Sequence, residues 1–157
     1  MAYSYNTLVD IFDKFGENHL AVKRLDVSFF DQLPNFSTNG DNFPLMYVEP
    51  TSVQFEVNAD NNSFRVYCLD ILLKDRSNEK EIMNQTLLIL RDLVNWVRLD
   101  DDLKVDVTNT PIAVPVNNFL MDSTVGWYLD IDLDSPTINN DCSIPFKPGF
   151  NFIPREC

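Results

Sequence analysis

The feature that most constrains the fold is a long amphipathic segment at residues 78–98. Its apolar side chains recur at steps of three and four residues, which predicts an α-helix with one wide face packed on a sheet. Ser77 or Asn78 can accept hydrogen bonds from the first free amides, and Glu79 and Glu81 suit the positive end of the helix dipole. The apolar stripe comprises Ile82, Met83, Leu87, Ile89, Leu90, Leu93, Val94 and Val97, with Thr86 among them. The segment carries no histidine or glycine-rich phosphate loop, so it predicts a scaffold.

Composition favours one domain and excludes several classes of partner. The 157 residues are 45% apolar, enough for a core that needs no disulfides. The net charge of -12 disfavours general binding to nucleic acid phosphates. The three cysteines form no CxxC pair, and the N-terminus lacks the pattern of a signal peptide, so we expect synthesis in a reducing cytoplasm. No apolar run reaches the length of a membrane span, and we expect no membrane partner.

The rest of the chain predicts a second helix and a set of strands. Tyr5, Leu8, Phe12 and Phe15 share one helical face, which Ser4 can cap and Gly16 can end. Alternating apolar residues predict strands at 23–30, 43–48, 53–57, 64–74, 103–107, 112–116 and 125–133, with breaks at Glu49-Pro50 and a turn at Asp60-Asn61-Asn62. The segment 64–74 is predicted as the central strand. We expect an α+β fold, a mostly antiparallel sheet backed by two helices, in a single domain at 1–145 with an extended C-terminal arm at 146–157.

Three carboxylates, Asp130, Asp132 and Asp134, alternate along the last predicted strand and therefore share one of its faces. Such a cluster could bind a hard cation and serve a metal-dependent enzyme. However, the glycine and terminal glutamate of a calcium loop are absent, and no lysine or histidine lies nearby to hold a phosphate. We favour a solvated sheet face or a charged inner surface of an assembly, and expect no metal, no cofactor and no catalytic residue.

Other reactive or aromatic residues have ordinary structural interpretations. His19 is the only histidine and follows a helix end, so we expect a structural or exposed role. Cys68 falls in the central strand and is expected to act as a small buried residue. We expect core or interface positions for the aromatic residues Phe64, Tyr67, Trp96, Trp127 and Tyr128, because basic residues are not interleaved among them.

Three segments together resemble the tail-terminator or tail-completion proteins of tailed bacteriophages, small neck proteins that form rings between the portal-connector complex and the tail. The segments are residues 42–50 (NFPLMYVEP), residues 84–93 of the long helix (NQTLLILRDL), and residues 122–131 (DSTVGWYLDI) followed by 140–145 (NDCSIP). The order of elements is also similar. None of these motifs is catalytic, so the combination carries the resemblance.

This resemblance implies a virion structural protein without enzyme activity. Such a protein self-associates as a hexameric or dodecameric ring in the neck or tail, after synthesis in the cytoplasm of the bacterial host. Its partners are portal or connector proteins and tail proteins, and genomic DNA passes nearby without specific binding. Long-tailed and short-tailed virions both remain open, and a monomeric adaptor domain remains a further alternative.

Exposed loops and the arm are the segments that we expect to carry contacts, since they combine free backbone with apolar or aromatic side chains. The interface candidates are Phe36, Asn39, Asp60, Asn61, Phe146, Phe150, Phe152 and Ile153. For an assembly around a DNA channel, we expect Asp130, Asp132 and Asp134 to face the channel, where negative charge repels phosphate and lets DNA slide.

Overall fold

The computed structural model describes residues 4–28, 40–117, 123–136 and 147–150. The elements in chain order are α1 (Tyr5–Asn18), β1 (Arg24–Val27), β2 (Leu45–Phe55), β3 (Ala59–Ile71), α2 (Glu79–Leu99), β4 (Asp106–Val107), β5 (Val114–Asn117) and β6 (Thr124–Pro136). The sheet order is β1-β2-β3-β6-β4, and β5 also pairs with β6. Only β1 and β2 pair in parallel among these described strands. The predicted α+β class is confirmed, and β3 lies between β2 and β6 as the central strand.

Helix α2 is stabilised because its apolar face packs against the sheet. Its buried residues all belong to the predicted face, of which Met83 and Leu87 are only half-buried; the buried ones are Ile82, Thr86, Ile89, Leu90, Leu93, Val94 and Val97. Full burial of each large aliphatic side chain contributes about 1.5–3 kcal/mol. The start of the helix differs from the prediction, because the Asn78 side chain caps no amide of its own helix. It accepts from the N–H of Leu73 at 3.0 Å and donates to the carbonyl of Ile71 at 3.1 Å, which ties α2 to the end of β3.

Helix α1 starts where the sequence predicts and ends later. The Ser4 hydroxyl accepts a hydrogen bond from the N–H of Thr7 at 3.3 Å, as predicted for a cap. The prediction that Gly16 ends the helix is wrong, because α1 continues to Asn18. A Cβ at Gly16 would lie only 2.5 Å from the Cβ of Leu25, so the glycine lets α1 approach the beginning of the sheet closely.

Two predictions about the β2–β3 hairpin are wrong. Glu49-Pro50 does not separate two strands, because β2 continues through Pro50. Pro50 pairs with Phe64 and Ser52 pairs with Ser63, and a bulge lies between these two pairs. The chain turns at residues 56–58, where the N–H of Glu56 donates to the carbonyl of Ala59 at 3.1 Å. The predicted turn at Asp60-Asn61-Asn62 lies inside β3, because β6 is long enough to pair with β3 back to Ala59.

The sheet buries apolar side chains on both faces. The helix-facing side holds the larger core, which includes Met46, Val66 and Leu129 under α1 and α2. The opposite side, here called the outer face, holds a second cluster of Phe43, Leu45, Tyr47, Tyr67 and Leu69. No helix in the described part of the chain is both long enough and apolar enough to cross a membrane.

Candidate functional site

The three predicted carboxylates lie together on the outer face of β6, where strand alternation places them. The register of β3 and β6 sets Asp130 opposite Arg65, Asp132 opposite Ser63 and Asp134 opposite Asn61. Adjacent members of the row are two residues apart, so their Cα atoms are separated by roughly 7 Å along the strand. The row is therefore a line of three carboxylates on β6, here called the acidic ladder, and each faces a different residue of β3.

Each carboxylate of this acidic ladder has its own partner on β3. Arg65 donates to Asp130 from Nε at 2.7 Å and from Nη2 at 3.1 Å. The Ser63 hydroxyl donates to Asp132 at 2.7 Å, and the Asn61 amide donates to Asp134 at 2.6 Å. Within the described ranges, no three His, Cys, Asp or Glu side chains are grouped to hold a metal ion. The carboxylates thus point at separate partners rather than at one common centre.

Negative charge is concentrated at one end of the acidic ladder. The hydrogen bonds from Arg65 to Asp130 raise the pKa of the guanidinium further above its ordinary value, and this pair neutralises Asp130. Asp132 and Asp134 accept hydrogen bonds from the neutral side chains of Ser63 and Asn61, which bring no positive charge to them. On the other side of β6, Asp106 of β4 lies directly opposite Asp134. Like charges directly opposite each other weaken strand pairing. Repulsion between Asp106 and Asp134 therefore destabilises the pairing of β4 with β6.

A row of tyrosines separates the acidic ladder from the apolar part of the outer face. Tyr47, Tyr67 and Tyr128 are neighbours across β2, β3 and β6. Their ring centroids are 6.2 Å and 5.5 Å apart, and the Arg65 guanidinium lies 4.7 Å from the centroid of Tyr128. Burial raises the pKa of the Tyr67 hydroxyl. This row fixes Arg65 between an aromatic surface and a carboxylate.

The tip of the β2–β3 hairpin exposes apolar side chains that the interface predictions did not include. We define the hairpin tip as Val53, Phe55, Glu56 and Val57. Val53, Phe55 and Val57 are 46%, 83% and 77% exposed. Because of the bulge, Val53 lies opposite Asn62 and Phe55 lies opposite Asp60. Both side chains are therefore on the helix-facing side of the sheet. In the described chain, β1 pairs with β2 only along Leu45–Val48, so this end of β2 extends beyond it.

Alternation alone could not reveal the hairpin tip. Val53, Phe55 and Val57 alternate with polar residues, and this pattern predicts a strand with one buried side. The exposure depends on what packs over this end of the sheet, which is a tertiary property.

The predicted interface residues are scattered. Asp60 and Asn61 lie within β3 and are half-buried, and Asn61 contacts Asp134 of the acidic ladder. Phe150 is 61% exposed in the turn at residues 147–150. The other candidates, Phe36, Asn39, Phe146, Phe152 and Ile153, lie outside the residues that the structure describes.

His19 links the end of α1 to α2, in agreement with a structural role. Its Nδ1 accepts from the N–H of Ala21 at 3.2 Å, which leaves Nε2 to donate to Asp92 at 3.1 Å. Its ring packs on Phe15 with centroids 4.9 Å apart. Cys68 is fully buried as predicted, and burial raises the pKa of its thiol.

Comparison with known proteins finds no protein-family model that matches this chain and no curated protein sequence that matches it.

Proposed function

We propose that this chain is a structural protein of a tailed-bacteriophage virion, a ring subunit of the neck or tail that joins the portal-connector region to the tail. The observation that carries the proposal is the hairpin tip. A hairpin that holds Phe55 and Val57 in solvent is typical of a surface that becomes buried on association. The resemblance to tail-terminator and tail-completion proteins supplies the setting for that association.

The acidic ladder supports a position beside DNA. Asp106, Asp132 and Asp134 bring three carboxylates to one end of the outer face, and none of them forms an ion pair with a residue that the structure describes. A surface of this charge repels phosphate, so DNA passes along it without being held. In the proposed ring, which is hexameric or dodecameric, Asp130, Asp132 and Asp134 face the channel, and portal, connector and tail proteins bind above and below. Bond chemistry forms no part of this function.

Electron microscopy of purified phage particles tests the proposal directly. We expect the chain as a closed ring in the neck or tail, with the outer face of its sheet toward the channel. Absence of the chain from the particles contradicts the proposal, and carboxylates that point away from the channel contradict the role of the acidic ladder.

Replacement of Asp132 by Asn separates this function from a metal-dependent enzyme. Titration calorimetry with Mg²⁺ and Mn²⁺ should give no saturable binding in the wild type or in Asp132→Asn, because each carboxylate of the ladder has its own partner. Asp106→Asn, which removes the same charge from β4, is the matched control. Saturable binding that Asp132→Asn alone abolishes would favour the enzyme.

A further inference from the structure

We propose that the hairpin tip of one subunit docks into a groove beside α2 of a second copy of this chain, where Glu56 pairs with Arg91. The inference rests on the proposed ring function and deepens it, because it names the two surfaces that meet between neighbouring subunits. The groove lies between α2 and residues 110–113 and has a volume of about 300 Å³. We call it the α2 groove.

The α2 groove combines an apolar floor with a basic rim. Its apolar lining includes Leu87, Val94 and Pro111. Arg91 and Arg98 line it from α2 and are exposed. They are seven residues apart, which places them on the same side of the helix. Such a surface suits a segment with apolar side chains and a carboxylate.

Arg91 and Arg98 differ from the other arginines that the structure describes, because neither forms an ion pair with a described residue. Arg24, Arg65 and Arg76 each pair with a carboxylate. Arg91 and Arg98 make no ion pair with any residue in the described ranges. A guanidinium that has no ion pair in the described chain and borders apolar side chains is a good partner for a carboxylate, and desolvation on docking strengthens the pair.

The hairpin tip has the complementary chemistry. Phe55 and Val57 present apolar side chains, and Glu56 between them makes no ion pair in the described part of the chain. A groove of this volume is at the lower end of the sizes that bind small ligands and suits an aromatic side chain. The predicted contact therefore buries Phe55 in the groove and sets Glu56 against its basic rim.

The positions of the two surfaces favour contact between copies. The hairpin includes β2, which neighbours the edge strand β1, whereas residues 110–113 connect β4 and β5 at the other side of the sheet. Two different surfaces that meet head to tail generate a ring when the rotation closes. Arg98 also borders a recess with Asn58 of its own hairpin, so Arg91 is the cleaner probe of the contact.

Charge reversal tests the pairing. Glu56→Lys and Arg91→Glu should each weaken self-association roughly tenfold or more, because each places like charges together at the contact. The double variant should restore association, because it again places opposite charges at the two positions. Sedimentation velocity over a concentration series measures the association. Glu17→Lys on α1 and Lys80→Glu on α2 are matched controls, since both residues are exposed and outside the groove, and they should leave association unchanged.

A photo-crosslink keeps the proposal testable if association is too weak to sediment. Benzoylphenylalanine at position 55, in a mixture of isotope-labelled and unlabelled chains at high concentration, should crosslink to α2 or residues 110–113 of the other copy. The docking would be overturned by crosslinks to other segments or by the absence of a crosslink. It would also be overturned if the single variants Glu56→Lys and Arg91→Glu associate as strongly as the wild type. If the docking is overturned but the chain forms a ring in virions, the proposed function still stands. If the double variant restores association but the chain is absent from virions, the proposed function is refuted and the docking stands.

Discussion

At the scale of single residues, Arg65 organises the outer face. It makes a two-point ion pair with Asp130 and lies over the ring of Tyr128. The alternation of β6 predicted that its aspartates share a face, but Arg65 is 65 residues away in the chain from Asp130. Only the pairing of β3 with β6 brings them together, so no local pattern could name this contact.

Arg65→Met should lower the free energy of unfolding by about 1 kcal/mol, the combined value of a partly exposed ion pair and a cation–π contact. Urea denaturation measures the change. Arg76→Met removes the two-point pair with Glu79, which is exposed and has no aromatic ring in its described contacts, and should cost less. Equal losses in the two variants would show that the contact with Tyr128 contributes nothing.

Asp70 provides a test of pH dependence. Burial of Asp70 raises its pKa above the ordinary value of 3.8, although the N–H of Ile71 partly offsets the effect. The ionised carboxylate therefore costs stability at pH values above its folded pKa, and the cost disappears as pH falls below the ordinary carboxyl range. Asp70→Asn should raise the free energy of unfolding at pH 7 and leave it unchanged near pH 3, by denaturation at both values.

The opposite sign is expected at Asp75. Hydrogen bonds from Ser77 lower the pKa of Asp75, so its carboxylate stabilises the fold above the ordinary pKa and loses this effect as pH falls through the folded pKa. Asp75→Asn should therefore reduce stability at pH 7, and the reduction should fade as pH falls through the folded pKa of Asp75. If Asp70→Asn and Asp75→Asn shift the free energy of unfolding in the same direction at pH 7, burial is not the cause that determines how the Asp70 carboxylate affects stability.

At the scale of elements, the bulge in β2 decides which face the hairpin tip uses. Thr51 is the extra residue between Pro50 and Ser52, and its hydroxyl donates to the carbonyl of Ser63 at 2.9 Å. Each added residue in a strand moves the following side chains to the other face. The sequence predicted apolar alternation at Val53 and Phe55, but not this shift relative to Tyr47.

Deletion of Thr51 should keep Phe55 opposite Asp60, because the ladder on either side of the bulge would become continuous. The lost hydrogen bond should cost about 1 kcal/mol of unfolding free energy. Cross-strand nuclear Overhauser contacts measure the register. Deletion of Gln54 is the control and should move Phe55 to the outer face opposite Asn61. A hairpin that changes register when Thr51 is deleted would contradict this account.

At the scale of the whole molecule, the division into a domain at 1–145 and an arm at 146–157 stays a prediction. Most of the arm lies outside the described residues, and Phe150 is exposed within the part that is described. A chain ending at residue 145 should fold with an unchanged melting temperature and bind its neighbours more weakly, because the arm supplies aromatic contacts. Thermal denaturation and assembly assays measure the two effects, and failure to fold would place the arm in the core.

The sequence by itself determined the secondary-structure class of α1, α2 and β6, because their apolar periods are long and match one geometry. It also determined that Asp130, Asp132 and Asp134 share a face, since that follows from strand geometry alone. Only the tertiary structure decided the partners of these carboxylates, the continuity of β2 through Pro50, the true turn at residues 56–58 and the exposure of Phe55. The physical reason is that periodicity is local, whereas strand pairing, bulge register and burial depend on residues far apart in the chain.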